Sequence, residues 1–393
     1  MSTLEDTHET KEWEPATSRL ATSLRLLNEN EEKVHDQESQ LRGKIEKELS
    51  LVLFLLNSAA TIIIAIFYLI SWEAILSIAL CIPLTIYQYN AAKDDGSYNG
   101  NIMNWTLLTF AIVTPMSSSI VMAFNRREKA LSFLAALRSL LFCTYQAHAS
   151  WDWGTSIPTG RSLSKVNWLD HSDNVVKEIM MLSNDLSRYL TMPSTSRARH
   201  KVIPTSHHQA SAARDLGDQL MTHVLTRLNR ISMYCEILKL EGLPGNEAAR
   251  IRQWEREVVL QIENLQVIKE YRTPQALRSL CRLFSVLLPP YYAPFYAQIA
   301  IDLNSLGMAI TFSILTSFAL TALFESLTQM EDPFVAHLTL DGIDVCRELQ
   351  QLQYQRLLSQ REILFFPGAT KSVKDLKLPE EFAVHMSCLK YES

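Results

Sequence analysis

Long hydrophobic stretches divide this chain of 393 residues into apolar and polar regions. Four stretches contain no charged residue: residues 49–70, 102–124, 283–301 and 303–324. A fifth stretch, residues 72–89, contains one charged residue, Glu73. At about 1.5 Å per residue, each of the four is long enough for a helix to cross a hydrocarbon layer of about 30 Å. A helix on a soluble domain would instead carry polar residues along one face. The pattern therefore predicts an all-α, polytopic helical membrane protein with four or five hydrophobic segments.

These segments set the organisation of the chain. We divide it into a polar amino-terminal arm (1–48), a first transmembrane group (49–124), a long helical cytosolic region (125–278), a second transmembrane hairpin (279–326) and a C-terminal helix and tail (327–393). Apolar residues at helical spacing predict helices through most of the cytosolic region. Residues 191–211 are rich in Ser, Thr, Pro and His, which predicts a flexible loop there.

The distribution of charge predicts which side the central region faces. Residues 125–278 contain 21 Lys and Arg against 15 Asp and Glu. Arg126 and Arg127 follow one span closely, and Arg272 and Arg278 precede the next. Lys and Arg this close to span ends favour the cytoplasmic side, so we predict that the region is cytosolic.

The side of the amino-terminal arm stays open. The arm holds 12 acidic and 7 basic residues and does not resemble a cleavable targeting peptide. Only Ser71 separates residues 49–70 from residues 72–89. If both segments cross the membrane, the arm lies on the outer side. If residues 72–89 are re-entrant, the arm lies on the same side as the basic region.

The sequence carries no motif of an enzyme mechanism. Glycine-rich nucleotide loops, metalloprotease motifs and serine-hydrolase elbows are absent. His207 and His208 have no third ligand nearby, so we interpret them as solvated residues. The aromatic cluster at residues 151–154, just after His148, is interpreted as a helix anchor rather than a ligand site. The six cysteines are far apart, which favours reduced thiols. We predict no enzyme activity, no cofactor, no metal and no nucleic-acid partner.

The third hydrophobic segment in chain order, residues 102–124, differs from a lipid-facing span. It contains Pro115 and several hydroxyl residues, among them Ser117. Such residues are typical of close helix packing or of the wall of an aqueous path. Met116, Ile120 and Phe124 follow at steps of four and form an apolar stripe. Repeated around a symmetry axis, this stripe would make a hydrophobic gate. Ordinary helix packing accounts for the same pattern.

Three short motifs lie at the ends of the hydrophobic groups: residues 122–130, Met-Ala-Phe-Asn-Arg-Arg-Glu-Lys-Ala; residues 271–274, Tyr-Arg-Thr-Pro; and residues 331–334, Glu-Asp-Pro-Phe. They resemble motifs of the bestrophin-type anion channels, most closely the plant and algal type. The first is similar to the end of the family's second span, and the second is similar to the entry to its third span. The third is similar to the acidic element after its last span. The order of hydrophobic groups also matches over residues 49–350.

The resemblance implies a homopentameric channel for chloride or other small anions. The third hydrophobic segment would line its central pore. The implied site residues are Met116, Ser117, Ile120 and Phe124 in the neck, and Arg126 and Arg127 at the inner mouth. Positive charge there would raise the local anion concentration.

The chain departs from the family pattern in two places that matter for function. Residues 72–89 are additional to the family's four-span core. The acidic run that binds calcium in animal bestrophins is also absent, since Val335, Ala336 and His337 follow Phe334. Calcium gating is therefore not predicted.

Two other functions fit the sequence. A non-conducting membrane scaffold or sensor would use the long helices of residues 212–271 to bind a protein partner. A small-solute transporter is the third reading, because Pro289, Pro290 and Pro294 interrupt one span. The plasma membrane, the endoplasmic reticulum and a plastid membrane all fit a multi-pass protein of this composition.

Overall fold

A computed structural model gives the fold of this chain. It describes residues 37–38, 40, 51–94, 105–150, 168–192, 204–334, 342–358 and 360–361. Most of the predicted arm and the last part of the predicted tail lie outside the described residues. The elements within the described ranges are all helical, which confirms the predicted all-α class.

The helices follow one another along the whole described chain. They are α1 (Leu51–Leu69), α2 (Trp72–Asp94), α3 (Trp105–Ser150), α4 (Trp168–Thr191), α5 (Pro204–Leu240), α6 (Gly245–Glu270), α7 (Gln275–Tyr291), α8 (Ala293–Asp302), α9 (Leu306–Met330) and α10 (Val345–Gln350), which continues as a π-helix (Gln351–Leu358). The predicted loop at 191–211 is too long, because α5 already begins at Pro204. Proline suits the first position of a helix, where its missing N–H has no intrahelical partner.

Within the described residues, three helices are long and apolar enough to cross a membrane by length and composition. These are α2 over Trp72–Lys93, α3 over Ile112–Ala149 and α9 over Leu306–Met330. A shorter apolar stretch, Ser58–Leu69, lies in α1. At 46 residues, α3 is roughly 69 Å long, about twice the hydrocarbon thickness. Its apolar first half therefore belongs to the membrane bundle, and its second half continues without a break into a helical body that it forms with α4, α5 and α6.

The predicted span at residues 283–301 is not one helix. It is divided between α7 and α8, with Tyr292 between them. Pro289 and Pro290 lie in the last turn of α7 and remove two N–H donors. The N–H of Tyr292 then donates to the carbonyls of Leu288 and Pro289, at 3.2 and 3.1 Å, which closes the turn. The second predicted hairpin therefore consists of three helices.

The segment at residues 72–89 does not lie at the edge of the bundle. As α2 it lies at the centre of the membrane bundle, packed against α7, α8 and α9. Its Cys81 belongs to the same buried cluster as Ile112, Leu288 and Tyr296. The peripheral helix is α1, whose main packing partner is α9. The buried carboxylate of Glu73 in α2 pairs with the exposed Arg282 of α7.

Small polar residues allow α2 and α9 to approach closely. Each helix carries them in a row at steps of four: Ser77, Cys81 and Thr85 on α2, and Ser313, Ser317 and Thr321 on α9. All six side chains are buried. Most of the hydroxyls donate to carbonyls of their own helix, as Thr321 does to Ser317 at 2.7 Å. The seam is thus close helix packing of the kind that small residues permit within a membrane.

The helical body has the largest buried core. Leucine, isoleucine and valine side chains from α3, α4, α5 and α6 meet in it at helical spacing. The turn between α5 and α6 contains Gly242 at a positive φ of 97°, a conformation that favours glycine. The carboxyl-terminal helices pack on the same core through Val345, Leu349 and Leu352. A buried ion pair between Arg361 and Asp173, with Nε 2.6 Å from Oδ1, joins the end of the described chain to α4.

Candidate functional site

One face of α3 carries side chains that the subunit leaves uncovered. Six exposed residues follow alternating steps of four and three, with Ser118, Met122 and Asn125 exposed beside them: Phe110, Thr114, Ser117, Val121, Phe124 and Glu128. These steps average 3.6 residues, which keeps the six side chains on one face of a straight helix. Phe124 is 49% exposed and the opposite face is buried. This stripe is called the α3 stripe below. It begins with the apolar Phe110, continues with the hydroxyl residues Thr114 and Ser117 and the apolar Val121 and Phe124, and ends at the charged Glu128.

The structure separates the four predicted neck residues into two pairs. Ser117 and Phe124 lie on the α3 stripe. Met116 is only 1% exposed and packs with Cys281 and Phe324 inside the subunit, where Ile120 also packs. The reason is geometric, because each step of four turns a helix about 40° past a full rotation. A stripe from Met116 to Phe124 therefore drifts by about 80°.

Sequence reasoning missed Val121 as a member of the exposed face. Val121 lies four residues after Ser117 and three before Phe124. An alternating spacing of four and three would have found it, whereas a constant step of four does not stay on one helix face.

Arg126 caps another helix. Its Nη2 donates to the carbonyl of Ile268 at 2.6 Å, and its Nη1 donates to the carbonyl of Tyr271. These carbonyls end α6, where the helix leaves acceptors unpaired and its dipole favours a positive charge. Arg127 pairs with its neighbour Glu128 at 2.7 Å. Both cations predicted at the inner mouth therefore have partners within the subunit.

The two motifs at residues 271–274 and 331–334 meet at the base of the bundle. Glu331 is 1% exposed and accepts a hydrogen bond from Thr273 Oγ1 at 2.6 Å. The same carboxylate pairs with Arg278 at the start of α7. The sequence alone places these motifs about 60 positions apart, and only the fold brings them into contact.

The neighbouring carboxylate completes the cluster. Asp332 lies 3.1 Å from Lys269 Nζ and 3.2 Å from Arg272 Nη2. We call these five residues the ionic junction: Lys269, Arg272, Arg278, Glu331 and Asp332. Burial lowers the pKa of Lys269, and the charge of Asp332 opposes that shift. Three cations thus face two carboxylates where α6, α7 and α9 meet.

The ionic junction does not resemble a cation site. Both of its carboxylates are already engaged by Lys or Arg side chains. In the ranges that the structure describes, no three His, Cys, Asp or Glu side chains are grouped so that they could hold a metal ion. The arrangement instead fixes the position of α9 relative to α6 and α7, because breaking a buried ion pair leaves an uncompensated charge.

Several contacts define the inner end of the membrane bundle, meaning the end beside the helical body. Glu73 at the start of α2 pairs with Arg282 in α7, and the Arg282 guanidinium lies 5.8 Å from the Trp72 ring centroid. Gln329 near the end of α9 donates to the carbonyl of Tyr68 at 3.1 Å. Helices α2 and α7 therefore run from the inner end to the outer end, and α3 and α9 run back.

A buried pair of histidines lies in the helical body. His148 Nδ1 is 3.1 Å from His171 Nε2, and the His171 ring makes an edge contact with Tyr234 at 5.5 Å. Burial lowers the pKa of His148 to about 3, with a further contribution from His171. Burial also lowers the pKa of His171 to about 4. The aromatic cluster predicted at residues 151–154 lies outside the described residues.

These histidines predict how stability depends on pH. In the unfolded chain both titrate near 6.5, so below that pH the unfolded state binds more protons than the folded state. The contribution of the two neutral histidines to the free energy of unfolding is complete above pH 6.5 and decreases as the pH falls towards 4. Each histidine contributes a slope of up to about 1.4 kcal/mol per pH unit. Thermal unfolding in detergent at pH 7.5 and 5.5 measures this loss.

A histidine variant isolates the pair. We expect His148→Gln to reduce the difference between the two pH values, because one of the two buried groups no longer titrates. His223→Gln, at an exposed position on α5, is the matched control and should leave the difference unchanged. An equal pH dependence in wild type and His148→Gln would contradict the assignment.

Comparisons with known proteins identify the fold. No protein-family model matches the sequence, and neither does any curated protein. Solved structures of a bacterial bestrophin homolog from Klebsiella pneumoniae do match. A point variant of it has a TM-score of 0.53 at 14% identity, over 74% of this chain and 98% of that chain. A second structure of the homolog gives 0.52 at 13% identity, over 74% and 97%. The predicted resemblance is thereby confirmed at the level of the fold.

Proposed function

We propose that this chain, which has the bestrophin fold, is an anion channel in which several copies surround a central pore. Five copies are expected from the family resemblance. The α3 stripe of each copy would face the pore, with Ser117, Val121 and Phe124 at its narrowest part. The observation that carries the proposal is the exposure of this stripe on a helix whose opposite face packs inside the subunit.

The chemistry of the α3 stripe supports conduction with a gate. Thr114 and Ser117 offer hydroxyl groups to a hydrated ion at the outer part of the path. Val121 and Phe124 follow as a short apolar constriction, which can close by losing its water. Beyond it lies a helical region with a net positive charge, since residues 125–278 hold six more basic than acidic residues. That charge favours anions near the inner mouth.

A planar bilayer recording tests the proposal. Purified protein should pass a current whose reversal potential follows the chloride gradient. Replacing Phe124 by Ala should raise the conductance several-fold, because it widens the apolar constriction. The matched control is Phe312→Ala, which removes a similarly exposed phenyl ring from α9 and should leave conductance unchanged. A particle that is monomeric in mild detergent would contradict the central pore.

The scaffold function keeps one observation in its favour. The outer faces of α5 carry exposed apolar side chains, including Met233 and Leu240. Exposed apolar residues on a polar surface are typical of protein contacts when they form a patch. A silent bilayer with a well-folded oligomer would favour this second candidate.

A further inference from the structure

Helix α1 has an apolar surface that the rest of the subunit does not cover. It contains 19 residues without a charge. Its described side chains are exposed on several sides, with Ile62 61% and Phe67 71% exposed. Exposing such an apolar surface to water would be very unfavourable. The helix therefore needs an apolar partner.

The carboxyl end of α1 is fixed at the inner end of the bundle. The carbonyl of Tyr68 accepts the hydrogen bond from Gln329, close to the end of α9. Only Ile70 and Ser71 separate α1 from α2, and the Ser71 carbonyl accepts the N–H of Ala74 at 3.1 Å to begin α2. Helix α2 begins at the inner end of the bundle and runs outwards. Helix α1 therefore ends at the inner end and begins away from it.

We infer that α1 crosses the membrane from the outer side to the inner end, with lipid acyl chains around it. Its length is about 28 Å, close to the hydrocarbon thickness. A helix lying in the membrane interface would need a charged or strongly polar face. The polar residues of α1 are only Asn57, Ser58 and Thr61. Crossing is the arrangement that buries its whole surface in hydrocarbon.

This crossing places the chain before Leu51 on the outer side of the membrane. The arm has 12 acidic and 7 basic residues, so it lacks the excess of Lys and Arg that favours the cytoplasmic side. The helical body, with its net positive charge, stays on the inner side. The inference does not depend on conduction, because it rests on the position and surface of α1.

Protease accessibility tests the inference on the full chain. A cleavage site for a specific protease is inserted after Ser18 in the arm. Two reference variants carry it after Ser97, between α2 and α3, and after Ser196, between α4 and α5. In sealed vesicles of one orientation, we expect the Ser18 site to be cut from the same side as the Ser97 site. Cleavage from the side of the Ser196 site would overturn the inference and favour packing of α1 on a second copy or on the inner membrane surface.

Charged residues within α1 provide the second arm of the experiment. Ala59→Arg with Ile63→Arg places two cations near the middle of the predicted crossing. A charged side chain there has a large free-energy cost. The arm is then expected to be cut from the Ser196 side. The control is Ala59→Leu with Ile63→Leu, which keeps the surface apolar and should leave the arm outside. An arm that stays on the Ser97 side in the arginine variant would also overturn the inference.

Discussion

Replacing Glu331 by Ala is expected to destabilise the protein by about 3–5 kcal/mol, the range for removing one partner of a buried ion pair. The substitution leaves Arg278 without its carboxylate and removes the acceptor of the Thr273 hydroxyl. Because these groups are buried, water does not replace the lost partner well. Chemical unfolding in detergent, followed by tryptophan fluorescence, measures the loss.

A surface pair provides the control for this prediction. Glu247 lies 3.3 Å from Arg250 on α6, and both side chains are exposed. Glu247→Ala should cost less than about 1 kcal/mol, as exposed pairs do. Glu331→Gln keeps the shape and an acceptor for Thr273, and we expect an intermediate loss. Equal losses for Glu331→Ala and Glu247→Ala would show that the ionic junction does not hold the helices together.

Replacing Arg126 by Ala is expected to affect both stability and gating. The substitution removes two charge-assisted hydrogen bonds to the end of α6, each worth about 1.5–3 kcal/mol. Phe124 lies two residues earlier on the same helix. Loss of the cap would release the inner end of the proposed constriction, so channel open time should change together with stability. Unfolding and bilayer recordings on the same preparation measure both effects.

The neighbouring arginine separates this effect from a simple loss of charge. Arg127 pairs with the adjacent, exposed Glu128. Arg127→Ala removes the same charge and should leave gating and stability close to wild type. Arg126→Lys should be only partly effective, because a lysine lacks the fork of donors that reaches two carbonyls. Similar behaviour of the Arg126→Ala and Arg127→Ala variants would contradict the capping role.

Much of the fold follows from local pattern. Uncharged runs of about 20 residues predict the membrane helices because hydrocarbon excludes charge over a fixed thickness. Helical spacing of leucine, isoleucine and valine predicts the helical body, and Gly242 and Pro244 mark its hairpin turn. Pro289 and Pro290 signal the break between α7 and α8, although the hydrophobic run alone favoured a single span.

The candidate site was only partly predictable. The sequence singled out α3, together with Ser117 and Phe124, because hydroxyl residues and proline are unusual within a span, and both side chains lie on the exposed α3 stripe. It assigned Met116 to the pore, whereas the side chain is buried against Cys281 and Phe324. Which face of a helix is covered depends on neighbours that are distant in sequence, and a step of four residues does not stay on one face.

The sequence by itself therefore determined that this is an all-α protein with membrane-crossing helices and a basic helical body, since these properties depend on local composition. Only the tertiary structure decided that α2 is central and α1 peripheral, that Arg126 caps α6, and that Glu331 meets Arg278. The physical reason is the same in each case. A charge in a sequence has no known partner, and its role is fixed only when folding brings the partner within hydrogen-bonding distance.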